Sequence, residues 1–287
     1  METAAIPKKQ PAQHQDKQPG NEYEMNPQPV YDTDEPGLGR LINKVAIITG
    51  GDSGIGRAVA IHFAKEGADV AIVYLDEHED AQETAEAVRK YGKEAFLIPT
   101  DIADEKNCEV VVEKTINRFG HIDILVNNAA IQYEQHDIAD ISAEQLERTF
   151  KVNIFSHFHM TKYVSPHLTD GSTIINTASI TAYRGNEVLI DYSSTKGAIV
   201  AFTRSLAQSM IKKGIRVNAV APGPVWTPLI PASFPPEKVA KFGKDIPMGR
   251  PAQPAEIAPC YVFLASKESV FITGQVLHPN GGTIVNT

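Results

Sequence analysis

The chain has 287 residues, 42% of them hydrophobic and 22% charged. That is an ordinary composition for a soluble globular protein able to bury a full core in one large domain or two small ones. The formal net charge of -8 argues against a general nucleic-acid binder, which needs a basic face. No apolar run is long enough to span a bilayer and the N-terminus has no apolar signal region, so no membrane partner is expected and the cytoplasm is the expected location.

Residues 1–40 read as a flexible polar tail. The stretch from Lys8 to Gly20 is rich in proline and glutamine and has no periodicity, so it buries too little apolar surface to offset its ordering entropy. Tyr23, Met25, Val30 and Tyr31 are its candidate docking residues. The Lys8-Lys9 pair is too short for a basic targeting patch. The linker Pro36-Gly-Leu-Gly39 leads into a domain spanning 41–287.

The chain is organised around Val45-Ala-Ile-Ile-Thr-Gly-Gly-Asp-Ser-Gly-Ile-Gly56. Val45 to Thr49 is an apolar strand, Gly50, Asp52, Ser53, Gly54, Ile55 and Gly56 form a glycine turn, and Arg57 to Lys65 reads as an amphipathic helix. A strand ending in such a turn and opening into a helix is a phosphate cradle. Glycine lets the backbone approach a pyrophosphate, and the helix N-terminus offers free N–H groups. A glycine-rich turn without a ligand is the plain alternative.

Strands and helices then alternate. Strands are expected at 69–74, 94–100, 124–127, 172–177, 216–220 and 276–278. Helices are expected at 80–90 and 104–119, and one opens with the capping box Ser142-Ala-Glu-Gln145 and reaches about Leu168. Others span 192–213, closed by Gly214, and 254–265. This alternation predicts an α/β fold: a single doubly wound, Rossmann-type domain with a mostly or wholly parallel sheet and no separate substrate domain.

Ligands in such a sheet sit outside the carboxyl ends of the strands. The third strand ends in Thr100-Asp101-Ile102, where Asp101 suits an adenine amino group or, equally, caps a turn. The fourth ends in Asn127-Asn128-Ala129-Ala130, whose small residues let a ribose pass. The fifth ends in Thr177-Ala-Ser179, the sixth in Ala221-Pro222-Gly223-Pro-Val225-Trp-Thr227. Tyr192 and Lys196, four apart on a helix, point together. A free phenol near pH 10 needs a nearby cation to work near neutrality. Cys108 and Cys260 have no CxxC or Cys/His cluster around them, so disulfide and zinc readings fail. His157 and His159 face different ways, and no metal site is expected.

Jointly these residues resemble the short-chain dehydrogenases/reductases: Thr49-Gly50 with Gly54 and Gly56, Asn127-Asn-Ala, Ser179, Tyr192-x-x-x-Lys196, Arg216-Val-Asn218 and Pro222-Gly223, in that order. Ser179 precedes Tyr192 by the 13 positions usual there. The tail and the turn Gly-Gly-Asp-Ser look like the family's bacterial general-stress branch. The resemblance implies an NAD(P)-dependent oxidoreductase that interconverts a small carbonyl and an alcohol. Tyr192 would be its general acid/base and Lys196 would hold the ribose and lower the phenol's pKa. Ser179 would bind the reacting oxygen, Asn153 would hold a relay water (or serve as a buried structural amide), and Thr227 would meet the carboxamide. It also implies a homodimer or homotetramer using the helices at 145–168 and 192–213. A dinucleotide-binding regulatory protein without turnover is the rival reading. Departures are Ala130, where the family usually has glycine, and His278-Pro-Asn280, where an aspartate is usual.

NAD is the expected cofactor, with NADP possible. An NADP site usually supplies a basic residue in the glycine turn or after the second strand, and neither position has one. Arg57 is expected to point along its helix. Tyr74 occupies the usual acid's position, followed by Leu75, Asp76 and Glu77, and Asp76 would accept a ribose hydroxyl or repel a 2′-phosphate. Leu229, Ile230, Phe234 and Phe242, within a loop from Val225 to Arg250, suggest an apolar lid over the substrate, whose identity the residues do not specify.

Overall fold

The apolar runs become the strands of one sheet in the computed structural model, which describes residues 10–285; the Lys8-Lys9 pair lies outside these. In chain order the elements are β1 (Val45–Thr49), α1 (Gly54–Lys65), β2 (Asp69–Tyr74), α2 (His78–Arg89), β3 (Ala95–Pro99), α3 (Glu105–Phe119) and β4 (Ile124–Asn127). There follow α4 (Ala143–Phe150), α5 (Ser156–Val164), β5 (Thr173–Thr177), α6 (Thr181–Arg184) and α7 (Ile190–Met210). The last are β6 (Arg216–Val220), α8 (Pro236–Val239), α9 (Pro254–Ala265) and β7 (Val276–Leu277). The strand order is β3-β2-β1-β4-β5-β6-β7 and every pairing is parallel, as in a doubly wound Rossmann-type domain. β1 pairs with both β2 and β4. The strand order reverses there, which opens a crevice at the carboxyl ends of β1 and β4.

The side-chain alternation of β1 feeds two cores. Ala46 and Ile48 pack with α1, α2 and α9, whereas Ile47 packs with α3, α5 and the end of α7. Both faces are therefore covered, and the strands read as continuous apolar runs because neither face meets water.

Two expected features differ. Ser142 Oγ accepts from the Gln145 N–H at 3.1 Å, but the Gln145 side chain turns to Gln135 and Asp191, so only half of the capping box forms. The helix expected to reach Leu168 is interrupted by a π-helical turn at Lys151–Phe155 and ends at Val164. Local sequence carries no signal for the widened turn, because its apolar residues continue the helical pattern.

The polar tail is docked, through Met25, Val30 and Tyr31 among the residues singled out for it. Residues 10–40 form an extended strap across the domain. Glu22 is fully buried: its carboxylate accepts from the Gly54 N–H at 2.6 Å and pairs with Arg57 at 2.8 Å. The Asp80 carboxylate accepts the Glu22 N–H at 2.6 Å and the Tyr23 N–H at 3.2 Å. Further along, Met25 packs with Trp226, whose indole N–H donates to Pro27 O at 2.8 Å. Val30 hydrogen-bonds Gln253 and Ala255. Polar pairing and a few apolar contacts thus replace the missing apolar periodicity. Arg57 does not run along its helix: it is buried among Glu22, Asp80 and Glu83.

Candidate active site

The carboxyl ends of the strands open into one cavity of about 790 Å³, within the size range of small-molecule and cofactor sites. Its first wall is the glycine turn. Gly54 has φ +52°, a left-handed conformation costly for other residues, and a Cβ on Gly56 would lie 1.8 Å from Gly50 O. The second wall is the end of β4, tied to the turn by Asn128 Nδ2, which donates to Thr49 O at 3.1 Å and Gly50 O at 3.2 Å.

Of the residues singled out in the sequence, Gly50, Asp52, Ser53, Gly54, Ile55, Tyr74, Leu75, Asp101, Ile102, Asn128, Ala129 and Ala130 line this cavity. So do Ser179, Tyr192, Lys196, Pro222, Gly223, Val225 and Thr227. Gly56, Asp76 and Asn153 do not; Gly56 shapes the turn from behind. Asp101 is already engaged, accepting from the Ala103 N–H at 3.0 Å and pairing with Arg148 at 2.7 Å. Among the described residues, no group of three or more His, Cys, Asp or Glu side chains is arranged to hold a metal.

Tyr192 and Lys196 lie one turn apart on α7, and the ammonium sits 5.4 Å from the tyrosine ring centre. Lys196 Nζ donates to Thr177 O at 2.8 Å, which aims it at the end of β5. Burial pushes Lys196 down to about 7. Burial also pushes the Tyr192 phenol up to about 12, with a hydrogen bond from Ser179 pulling the other way. The lowered phenol expected from the sequence is therefore not what the protein's own groups produce. Asn153 lies in the π-helical turn. Its amide exchanges two hydrogen bonds with the Ile131 backbone, at 2.9 and 2.8 Å, and reaches Thr195, the contacts of a structural amide.

Part of the remaining wall is apolar. Ile230 and Phe234 pack with Leu189, Tyr192 and Trp226, with Phe242 against them, and Leu229 also lines the cavity. Sequence reasoning missed Pro19 and Gly20, which the strap brings to the cavity wall, and Lys17 beside them. Nothing local in the strap's sequence signals this, because its partners lie far along the chain.

The adenosine and phosphate end fits a dinucleotide: a helix N-terminus behind a glycine turn, with small residues opposite. The fold and the cavity define a dinucleotide-binding α/β protein. Residues 50–283 match the family described as enoyl-(acyl carrier protein) reductase. The chain is 59% identical to general stress protein 39 of Bacillus subtilis, over 99% of this chain and 100% of that protein. It is 54% identical to the glucose and ribitol dehydrogenase of Daucus carota, over 96% and 98%. A short-chain dehydrogenase from Burkholderia cenocepacia in complex with NADP superposes with TM-score 0.80 at 30% identity, covering 85% of this chain and 98% of that one. A 3-ketoacyl-(acyl-carrier-protein) reductase from Brucella melitensis complexed with NADH gives 0.77 at 35% identity, covering 84% and 98%. The chain belongs to the short-chain dehydrogenase/reductase family. It is an NAD(P)-dependent oxidoreductase acting on CH–OH or C=O groups.

Proposed function

We propose that the protein interconverts a small carbonyl and its alcohol with Tyr192 as general acid/base. The observation that carries this reading is the convergence of Ser179, Tyr192 and Lys196 on one wall of the cavity that also holds the glycine turn. The nicotinamide, when bound, supplies or accepts the hydride. Tyr192 Oη gives a proton to the carbonyl oxygen or takes one from the alcohol. Ser179 donates a hydrogen bond to that same oxygen. Lys196 holds the ribose and sets its positive charge beside the phenol, favouring the phenolate. Asn153, tied to the Ile131 backbone, fixes the helix bend behind them. Gly50, Ser53 and Ile55 cradle the pyrophosphate, and Gly54, whose N–H is taken by Glu22, keeps the turn's shape. Asn128, Ala129 and Ala130 pass beside the nicotinamide-side ribose, Pro222, Gly223, Val225 and Thr227 face the carboxamide, and Asp101 and Ile102 flank the adenine.

NAD(H) is the proposed preference. Its support is the pair of acids after β2, Asp76 and the buried Glu77, with Asp52 of the glycine turn; Glu77 and Asp52 line the cavity. Asp76 opposes a 2′-phosphate, and the carboxyl groups here accept from ribose hydroxyls. A homodimer or homotetramer is proposed as the working assembly and the cytoplasm as its location, the latter supported by the two free thiols of Cys108 and Cys260. The carrot relative's name makes sugars and polyols the first compounds to try. The test is a panel of polyols, sugars and aldehydes assayed with both cofactors. Turnover that disappears in Tyr192→Phe supports the assignment, and tight cofactor binding without turnover on any compound refutes it.

A further inference from the structure

The strap adds a cation where neither the glycine turn nor the segment after β2 has one. Lys17 Nζ lies 2.6 Å from Asp76 Oδ1 and 3.7 Å from Glu77 Oε1. Asp76 follows Gly56 by 20 positions, the spacing at which dinucleotide folds set the residue that meets the adenosine 2′ position, about 20 residues on. The lysine's backbone is held on both sides. Gln15 N donates to Pro231 O at 2.9 Å, Gln18 exchanges hydrogen bonds with the Gln132 backbone, and Glu22 is anchored at Gly54. Pro19 and Gly20, two and three residues on, form part of the cavity wall. The ammonium end is therefore confined to the rim beside β2, with 54% of the side chain exposed.

We infer that Lys17 is a specificity-determining residue that admits NADP(H) alongside NAD(H) by offering its ammonium to the adenosine 2′-phosphate. This rests on the reading of the cavity as a dinucleotide site. An exposed ion pair contributes little to stability, so Lys17 can exchange Asp76 for a phosphate at small cost. Its ammonium is a compact charge on a flexible stem, suited to serving either partner. While paired it cancels the charge of Asp76, which alone would repel the phosphate's charge of about −2. Glu77, buried and lining the cavity, remains to accept from the ribose of NAD(H). A site built this way binds NAD(H) more tightly and still takes NADP(H).

Titration calorimetry of the full chain with NADH and with NADPH tests this without requiring turnover. Lys17→Ala is expected to weaken NADPH by about tenfold, equivalent to about 1.4 kcal/mol, while NADH stays within about twofold, close to the measurement's resolution. Lys17→Arg should restore NADPH binding, and Asp76→Asn should tighten it. Equal loss for both cofactors in Lys17→Ala, or no loss for NADPH, overturns the inference and leaves the lysine a tie of the strap. Failure of the unaltered protein to bind either cofactor overturns the dinucleotide reading itself, a result distinct from a failure of Lys17.

Discussion

Tyr192 and Lys196 are each pushed toward the neutral form, for the same reason. Both are buried, and burial disfavours charge whichever its sign, so the phenol rises to about 12 and the ammonium falls to about 7. A positive nicotinamide ring held beside the pair would favour the phenolate and oppose that shift for the tyrosine. In the proposed reaction the hydroxyl acts through the proton it moves in the transition state and contributes little to holding the cofactor. Tyr192→Phe is expected to lower turnover by about 10²–10⁴-fold while the cofactor dissociation constant moves only a few-fold. Steady-state kinetics beside calorimetry separates the two quantities. Retention of more than a tenth of the activity would remove Tyr192 from its role. This pair was legible from sequence because its geometry is local: four residues on one helix. The direction of the tyrosine shift was not, since it depends on the depth of burial that strands and lid create together.

At the scale of elements, the strap and α1 share a buried cluster in which one cation faces several acids. Arg57 contacts Glu22, Asp80 and Glu83, while Asp52 lies close by. Removing it leaves Glu22 and Asp80 buried without their counter-charge, so Arg57→Ala should cost about 3–5 kcal/mol in urea unfolding. A loss below about 1 kcal/mol, the ceiling for most exposed pairs, would mean that water reaches the cluster. The same crowding gives the strap a pH dependence. Burial, aided by Asp80 and Asp52, raises Glu22 from 4.5 to about 7, against the pull of Arg57 and the Gly54 N–H. Burial likewise raises Asp52 to about 6 and Glu77 to about 8. Between its ordinary value and its raised one, each group binds more protons folded than unfolded, so stability falls as pH rises through that interval. The strap should become more open to proteolysis from pH 6 to pH 8.5, a range chosen about the values near 7 and 8, and Glu22→Gln should flatten the change. An unchanged cleavage rate across that range would refute it. The strap is also where the sequence was least legible. β1, its glycine turn and α1 announce themselves in one continuous stretch from Val45 to Lys65, whereas Glu22, Gln15 and Gln18 find their partners at Gly54, Pro231 and Gln132. Composition records the polarity of such a segment but not the distant groups that satisfy it.

The whole molecule leaves an aromatic face outside its cores. Phe155 and Phe158, on the π-helical turn and α5, are 44% and 53% exposed, and the Phe158 ring lies 4.4 Å from that of Phe202 on α7. Leu146 on α4 is exposed as well. Single exposed apolar residues need no explanation, but aromatics on adjoining helices suit the core of an interface between protein chains. The same elements carry Tyr192, Lys196 and Asn153, so a partner covering this face would stiffen the elements that hold these side chains. In the proposed homodimer a second copy would cover this face, because two-fold assembly lays one face against itself. Light scattering at micromolar concentration should return a multiple of the 31.3 kDa chain mass. Phe158→Asp sets a charge at the centre of the face, where an unpaired buried carboxylate is poorly tolerated, and should shift the mass toward the single chain. Activity should fall with it if pairing steadies α5 and α7, and rise again at higher protein concentration. A monomeric mass for the unaltered protein, or an unchanged assembly in Phe158→Asp, would assign these phenylalanines to the surface of a protein that works alone.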